Sequence, residues 1–533
     1  MMNATTTSIL VVLGVLLLGA CREEPTSAPP PSFEQDLLAL QDYFQIPGLA
    51  AQVTQNGEVL FEKYLGYADL SDSTRVGPAT RFSIASVSKI FASALLMKYV
   101  KAGKLRLDEP IKTYIPESEL PDEIQVCHIL SHTSEGLPGS FFNYSPRYGL
   151  LTPVLEQVSG MPYEELLQQE ILDPLSLTHT VSLTNQQVID SLAGQWAQPY
   201  YYGGEAEPGH FDVGVSTSSG LSSTVQDLSR FAQTLLSGEF LTPSSFQQMA
   251  TPFATTRGAS PYGLGIFTQQ FLGKQLVWGF GQEDCYSSLV LMLPQEGLTL
   301  TLLANNNLMS DPPRLINGDV TYSLFALSFL KHYVFDLPTL LAFSDWQDPN
   351  QLAVEVTSPD LRDFYRQEYL AHALAASFMG RGDVQEMARS RQLTQQALEL
   401  FPDLTSYGNL STLRLLSVLA PAHPNEFGGP LEQLGASLLQ ENPQNPYANI
   451  YLAFYYQSQN QPDKAHDYFL TVAEATNFHP FWYTIQSLDF LGQYYQEQDP
   501  AQAQIYYQRV VDIGFNMGGA VDRATDALEE MNR

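Results

Sequence analysis

Cysteine is nearly absent: Cys21, Cys127 and Cys285 are the only three in 533 residues, and no two form a Cys-x-x-Cys pair. A disulfide scaffold, a zinc ribbon and a thioredoxin-like redox motif are thereby excluded. Positive charge is also scarce. The 26 Lys and Arg face 57 Asp and Glu, for a formal net charge of −31. Phosphate backbones and anionic lipid surfaces are bound by basic faces, so neither nucleic acid nor electrostatic membrane docking is expected. No apolar run reaches the ~20 residues that cross a bilayer as a helix. There is no Gly-x-Ser-x-Gly nucleophile elbow and no phosphate-cradling glycine loop.

What remains describes a folded chain of more than one ordinary domain. Apolar residues make up 44% and charged residues 16%, which suits a packed core rather than disorder. The longest apolar run, Ile9–Ala20, is closed by Leu18-Gly19-Ala20-Cys21. A short apolar stretch ending in small residues reads as an export signal. With Cys directly after it, the segment resembles the lipobox of bacterial lipoproteins, in which the cysteine is lipidated. The expected layout is a signal over 1–21 with lipidation at Cys21, then a Pro-rich tether over 22–34. Met1–Ser8 lacks the usual Lys or Arg, which leaves an uncleaved anchor or an ordinary signal open. With Cys21 lipidated, Cys127 and Cys285 are expected as two buried free thiols, the alternative being one disulfide.

Along the body, Pro47–Val53 and Val59–Glu62 flank Gln55-Asn56-Gly57-Glu58 and predict a hairpin. Phe91–Ala102 has helical spacing and stops at Gly103. Thr152–Val158 and Tyr163–Ile171 predict further helices. Strand patterns return at Tyr262–Phe267, Ser287–Leu293 and Leu298–Ala304. Strands at both ends with helices between predict one sheet built from the two ends of the domain. Beyond Asp345 strand signals fade. Leu452–Tyr456 is echoed by Leu491–Tyr495, and Ala465–Tyr468 by Ala503–Tyr506; Ala388–Pro402 has the pattern of a repeat's second helix. These echoes resemble tetratricopeptide repeats, with a generic helical bundle as the alternative.

The chemistry concentrates in Phe82-Ser83-Ile84-Ala85-Ser86-Val87-Ser88-Lys89. Positions i and i+3 share a helix face, so Ser86 and Lys89 can meet. A hydroxyl needs a neighbouring base to become a nucleophile, and a desolvated lysine can be that base. The stretch Phe82–Ile111 resembles the nucleophile helix of the β-lactamase-related serine hydrolases, a family of class C β-lactamases, D-alanyl-D-alanine carboxypeptidases and esterases. Cys127–Ser134, Ser219–Leu228 and Tyr262–Gly265 resemble later landmarks of that family, in order. The resemblance covers roughly 35–335. It implies an α/β domain of antiparallel sheet flanked by helices plus an all-helical subdomain. A linker over 336–360 and an all-α repeat region over 361–533 follow.

The resemblance assigns Ser86 as nucleophile and Lys89 and Tyr144 to proton transfer, with the backbone of Ser86 and Gln282 as oxyanion hole. The family's second motif, Tyr-x-Asn, reads Tyr144-Ser145-Pro146, without the asparagine. The third, Lys-Thr-Gly or His-x-Gly, reads Gly279-Phe280-Gly281, without the basic residue. Both losses argue against efficient β-lactam turnover and leave ester or amide hydrolysis open. An anionic substrate is correspondingly less expected. His128 and His132, at i and i+4, read as a structural loop rather than metal ligands. No cofactor or metal is expected. The expected partners are a small acyl or peptide substrate, the membrane through Cys21, and a protein at the helical repeats. Two rival functions stay open: an inactive module serving as adaptor, and helical repeats that dock on the catalytic domain and gate its cleft.

Overall fold

The computed structural model describes residues 32–531, apart from 136, 141, 203–205, 257, 336, 338–358, 402, 405–408, 476–481 and 515. The expected signal, Cys21, most of the tether and nearly all of the expected linker lie outside the described residues. Among the described residues no helix is long and apolar enough to cross a membrane.

Helix α1 (Phe33–Tyr43) is opened by a capping box between Ser32 and Gln35. Strands β1 (Gly48–Gln55) and β2 (Glu58–Asp69) form the predicted hairpin. Asn56 and Gly57 both take positive φ, 51° and 88°, as a two-residue turn of matching twist requires. A short β3 (Thr74–Arg75) extends β2. The remaining sheet strands come from the far end of the domain: β4 (Phe267–Phe271), β5 (Lys274–Glu283), β6 (Tyr286–Leu293) and β7 (Leu298–Ala304). The antiparallel order is β4-β5-β6-β7-β1-β2-β3, so strands from the two ends of this domain meet where Leu49 pairs with Ala304.

One expectation shifts. The strand predicted from Tyr262 begins only at Phe267. Gly265 has φ +89°, and a Cβ there would lie 1.5 Å from Ser93 Oγ, so the chain bends tightly around the neighbouring helix before it can extend.

Both faces of the sheet are covered, which is why β6 and β7 are buried throughout. Alternate residues serve opposite layers. Leu289, Leu291 and Leu300 join α1 and α6 (Leu324–Leu330). Val290, Met292 and Leu303 join the second layer, which contains α2 (Ser88–Lys101), α3 (Leu151–Ser159), α4 (Tyr163–Leu167) and α5 (Val225–Ser237). Helix α3 ends at Gly160 in the left-handed conformation, at the predicted break.

The C-terminal region is all-helical: α7 (Pro359–Met379), α8 (Val384–Leu400), α9 (Leu410–Leu419), α10 (Pro424–Glu441), α11 (Pro446–Ser458), α12 (Pro462–Ala473), α13 (Trp482–Tyr495), α14 (Pro500–Ile513) and α15 (Ala520–Met531). The sequence echoes fall on equivalent helices, α11 with α13 and α12 with α14. This region shares one hydrophobic core with the sheet's first layer. Phe364 packs 6.1 Å from Phe271 and 6.0 Å from Phe335, ring centre to ring centre. Lys331 sits between Asp36 (3.2 Å) and Glu368 (3.9 Å), joining α1, the end of α6 and α7. Asn409 Nδ2 donates to Asp319 Oδ2 at 3.0 Å.

Candidate active site

Ser86 sits in a single 3-10 turn, Ala85–Val87, that runs directly into α2. Ala85 has φ +45°, a conformation that costs a non-glycine residue energy and persists only where surroundings impose it. Those surroundings are identifiable. Leu221 O accepts from Ile84 N at 3.0 Å, and Phe82-Ser83 pairs antiparallel with Ser222-Ser223. The Ser219–Leu228 segment therefore braces the turn, with Thr224 capping α5 through Asp227 N.

Lys89 is buried, 5% exposed. Its Nζ donates to Ser86 Oγ at 3.0 Å and to Ser218 O at 2.9 Å. Burial pushes its ammonium down to about 7, because desolvation disfavours the charged form. The Ser218 carbonyl gives Lys89 a second hydrogen bond where the second motif lacks its asparagine.

The Tyr144 ring lies 5.2 Å from Lys89 Nζ. It stacks on His132 at 4.2 Å and on Phe267 at 5.9 Å. Burial raises its phenol well above the ordinary tyrosine value, an effect partly opposed by the Ser86 side chain. Tyr144 therefore does not ionise easily beside Lys89: the apolar ring stack removes the water that would solvate a phenolate. His132 is buried, and its Nδ1 accepts from Ser145 N at 3.0 Å. Burial and the Lys89 charge hold it neutral, well below the usual histidine range. His128 Nδ1 accepts from Gln125 N at 3.1 Å. His128 thus closes the N-terminus of the short helix Val126–Leu130, and His132 ties down the loop at Ser145. Cys127 and Cys285 are free.

Strand β5 carries the third motif past Ser86. Partner β4 ends its pairing at Trp278, so residues 279–283 have one open edge. Asp284-Cys285 form a two-residue turn closed by the pair Glu283 and Tyr286. In such a hairpin the closing pair is hydrogen-bonded, so the preceding residue, Gln282, turns its N–H to the opposite, open edge. A Cβ on Gly281 would lie 2.2 Å from Ile84 O; only glycine lets β5 approach the nucleophile turn. A Cβ on Gly279 would lie 2.7 Å from Ile90 Cδ1, so Ile90 occupies the space of the missing basic side chain. Phe280 packs on the other face, 6.0 Å from Tyr144.

Ser86, Lys89, Tyr144 and Gln282 line one cavity of about 730 Å³. Three carboxylates also line it: Asp212, Glu283 and Asp284. Glu283 is pushed up to about 7 by burial, while Ser83 Oγ donates to it at 2.9 Å. Sequence reasoning missed several further lining residues, among them Ser218, Arg314 and Trp482. Ser218 acts through its carbonyl, which no side-chain motif records. Arg314 follows Asp311-Pro312-Pro313 in a loop, and Trp482 opens α13, hundreds of residues from Ser86; only packing brings them to the cleft.

Residues 35–318 match the Beta-lactamase family. Protein flp of Staphylococcus aureus (strain MW2) is 24% identical over 306 residues, 49% of this chain and 60% of that protein. The putative penicillin-binding protein PbpX of Bacillus subtilis (strain 168) is 24% identical over 291 residues, 48% of this chain and 70% of that one. The chain thus spans about 60% of the length of the curated relatives it matches first. Among solved structures, the octameric penicillin-binding protein homologue from Pyrococcus abyssi aligns at TM-score 0.51 and 22% identity, over 56% of this chain and 77% of that one, a likeness of fold. With its family match covering more than half its length, the chain belongs to the Beta-lactamase family.

Proposed function

We propose that this protein is a serine hydrolase that cleaves an ester or amide through an acyl-enzyme on Ser86. The observation that carries the reading is the buried Lys89 amine, titrating near 7 and 3.0 Å from Ser86 Oγ. Neutral Lys89 takes the Ser86 proton as Oγ attacks the carbonyl carbon. The N–H groups of Ser86 and Gln282 receive the developing oxyanion. As the tetrahedral intermediate collapses, the proton passes from Lys89, through the Tyr144 hydroxyl, to the leaving group. Water then attacks the acyl carbon with Lys89 again as base, and Ser86 regains its proton. Tyr144 works as a neutral relay, since its environment disfavours phenolate.

Poor β-lactam turnover follows from Pro146 in place of an amide side chain and from Ile90 filling the space beside Gly279. We place the protein in the bacterial cell envelope, exported and anchored through lipid on Cys21. The test is intact-protein mass spectrometry after exposure to an activated ester, a fluorophosphonate and a penicillin. The reading expects a mass increase on wild type and none on Ser86→Ala. Equal labelling of both would overturn it, and no labelling of either would favour an adaptor role.

A further inference from the structure

The cleft has two unlike sides, divided by β5. Successive side chains of a strand point to opposite faces. Toward the nucleophile turn stand Gly281 and then Glu283, which receives Ser83 Oγ and feels Asp212 and Asp284. The other face carries Phe280, whose ring lies 6.0 Å from that of Tyr144. Ile316, in a turn after β7, lines the cavity with them. The first side is acidic; the second presents apolar surface.

The C-terminal helices border that second side. Tyr144 and Ile316 also line a small adjoining cavity of about 50 Å³, whose walls include Leu410, Pro446 and Tyr447 of the helical region. Trp482, the first residue of α13, lines the cleft itself together with Ser86 and Lys89. It begins a stripe of α13 that continues at three-residue spacing as Ile485 and Leu488, both buried. Trp482 is only half-buried and reaches the cleft. Its place is fixed by packing. The Tyr483 ring, 6.1 Å from it, lies 6.5 Å from both Tyr447 and Tyr451 and 6.1 Å from Phe454, all of α11. A tryptophan held in this way offers a flat π surface, and rings stack on one another beyond what apolar burial alone contributes. The cleft, at about 730 Å³, has the size that encloses a small-molecule ligand.

We propose that the helical region is part of the active site: Trp482, held by α11 and α13, is a stacking wall of the cleft and selects substrates that carry a planar ring near the scissile bond. Substrate choice is thereby set in part by a residue more than 150 positions beyond the family match at 35–318. This inference rests on the acyl-enzyme reading above, and the experiment separates the two.

Full-length protein is assayed with two pairs of thioesters, the released thiol being read with an aromatic disulfide. The first pair is the S-ethyl thioesters of phenylacetate and cyclohexylacetate. The second is the thioacetates of benzyl and cyclohexylmethyl thiol. Each pair sets a planar ring against a puckered ring of similar size, on one or the other side of the scissile bond, with rates normalised to alkaline hydrolysis. Wild type should prefer the planar ring by about fivefold in kcat/KM in at least one pair, the worth of a ring stack. The preference should fall to about one in Trp482→Ala and persist in Trp482→Phe. The ratio compares two substrates on one protein, so a loss of folded material does not mimic it. A wild-type ratio near one in both pairs, or a preference undiminished in Trp482→Ala, overturns the stacking wall alone when Ser86→Ala is inert. Undiminished hydrolysis by Ser86→Ala, or none by wild type, overturns the acyl-enzyme reading and the wall with it.

Discussion

Lys89 Nζ and Ser86 Oγ lie 3.0 Å apart, and the same Nζ reaches the Ser218 carbonyl at 2.9 Å. One amine is thereby fixed in a dry pocket with its reactive neighbour on one side and a backbone anchor on the other. The anchor holds geometry without adding charge, so desolvation alone sets the amine's proton affinity.

The rate should therefore follow Lys89 titration. With the folded amine near 7, kcat/KM for a neutral ester rises with pH through that value and levels above it. A pH profile of activated-ester hydrolysis reads this. An acidic limb centred near 4 or 10 would reassign the base. Lys89→Met should lose about 10²–10⁴-fold, the usual worth of a positioned general base.

The same substitution should stabilise the fold. Unfolded, the lysine titrates at its ordinary 10.5; folded, near 7. Between those values the unfolded chain binds the extra proton, so stability rises with pH across the window, and the cost of Lys89 is greatest below it. Lys89→Met should raise the thermal midpoint by several degrees at pH 6.5, a gain that shrinks toward pH 10. Calorimetry at the two pH values measures it.

Tyr144→Phe keeps the ring that stacks on His132 and Phe267 and removes only the hydroxyl. Its thermal midpoint should stay close to wild type while kcat and kcat/KM fall together by about 10²-fold. A change confined to KM would instead make Tyr144 a binding residue.

Gly281→Ala places a Cβ 2.2 Å from the Ile84 carbonyl. Backbone must move to accept it, and the strand bearing Gln282 moves away from Ser86. We expect a loss of about 2 kcal/mol or more in stability and about 10²-fold or more in acylation, since oxyanion donors act only at hydrogen-bond distance. Denaturant unfolding and acylation kinetics on one preparation test both.

Ending the chain at Phe335 strips the first layer's core of Phe364, Tyr369, Leu370 and Leu374. It also leaves Lys331, 4% exposed, without Glu368. The truncated protein should unfold at lower temperature than the full chain and tend to aggregate, as exposed apolar patches do. Scanning calorimetry and light scattering report this. A truncated form as stable as the full chain would mean that the helical region folds apart from the sheet.

Much of this architecture was legible in local pattern. Asn56-Gly57 announced its hairpin, Gly160 its helix end, and the echo between Leu452–Tyr456 and Leu491–Tyr495 its paired helices, because turns and helix faces depend on residues near in sequence. The Ser86–Lys89 pair was legible for the same reason: three residues on one helical turn. What sequence alone could not give was the proton affinity of Lys89 and Tyr144, since desolvation comes from His132, Phe267 and Ser218, far along the chain. Nor could it place Arg314 and Trp482 in the cleft. Those positions are decided by one apolar core that joins the sheet to the C-terminal helices, and burial of that kind is a property of the packed whole.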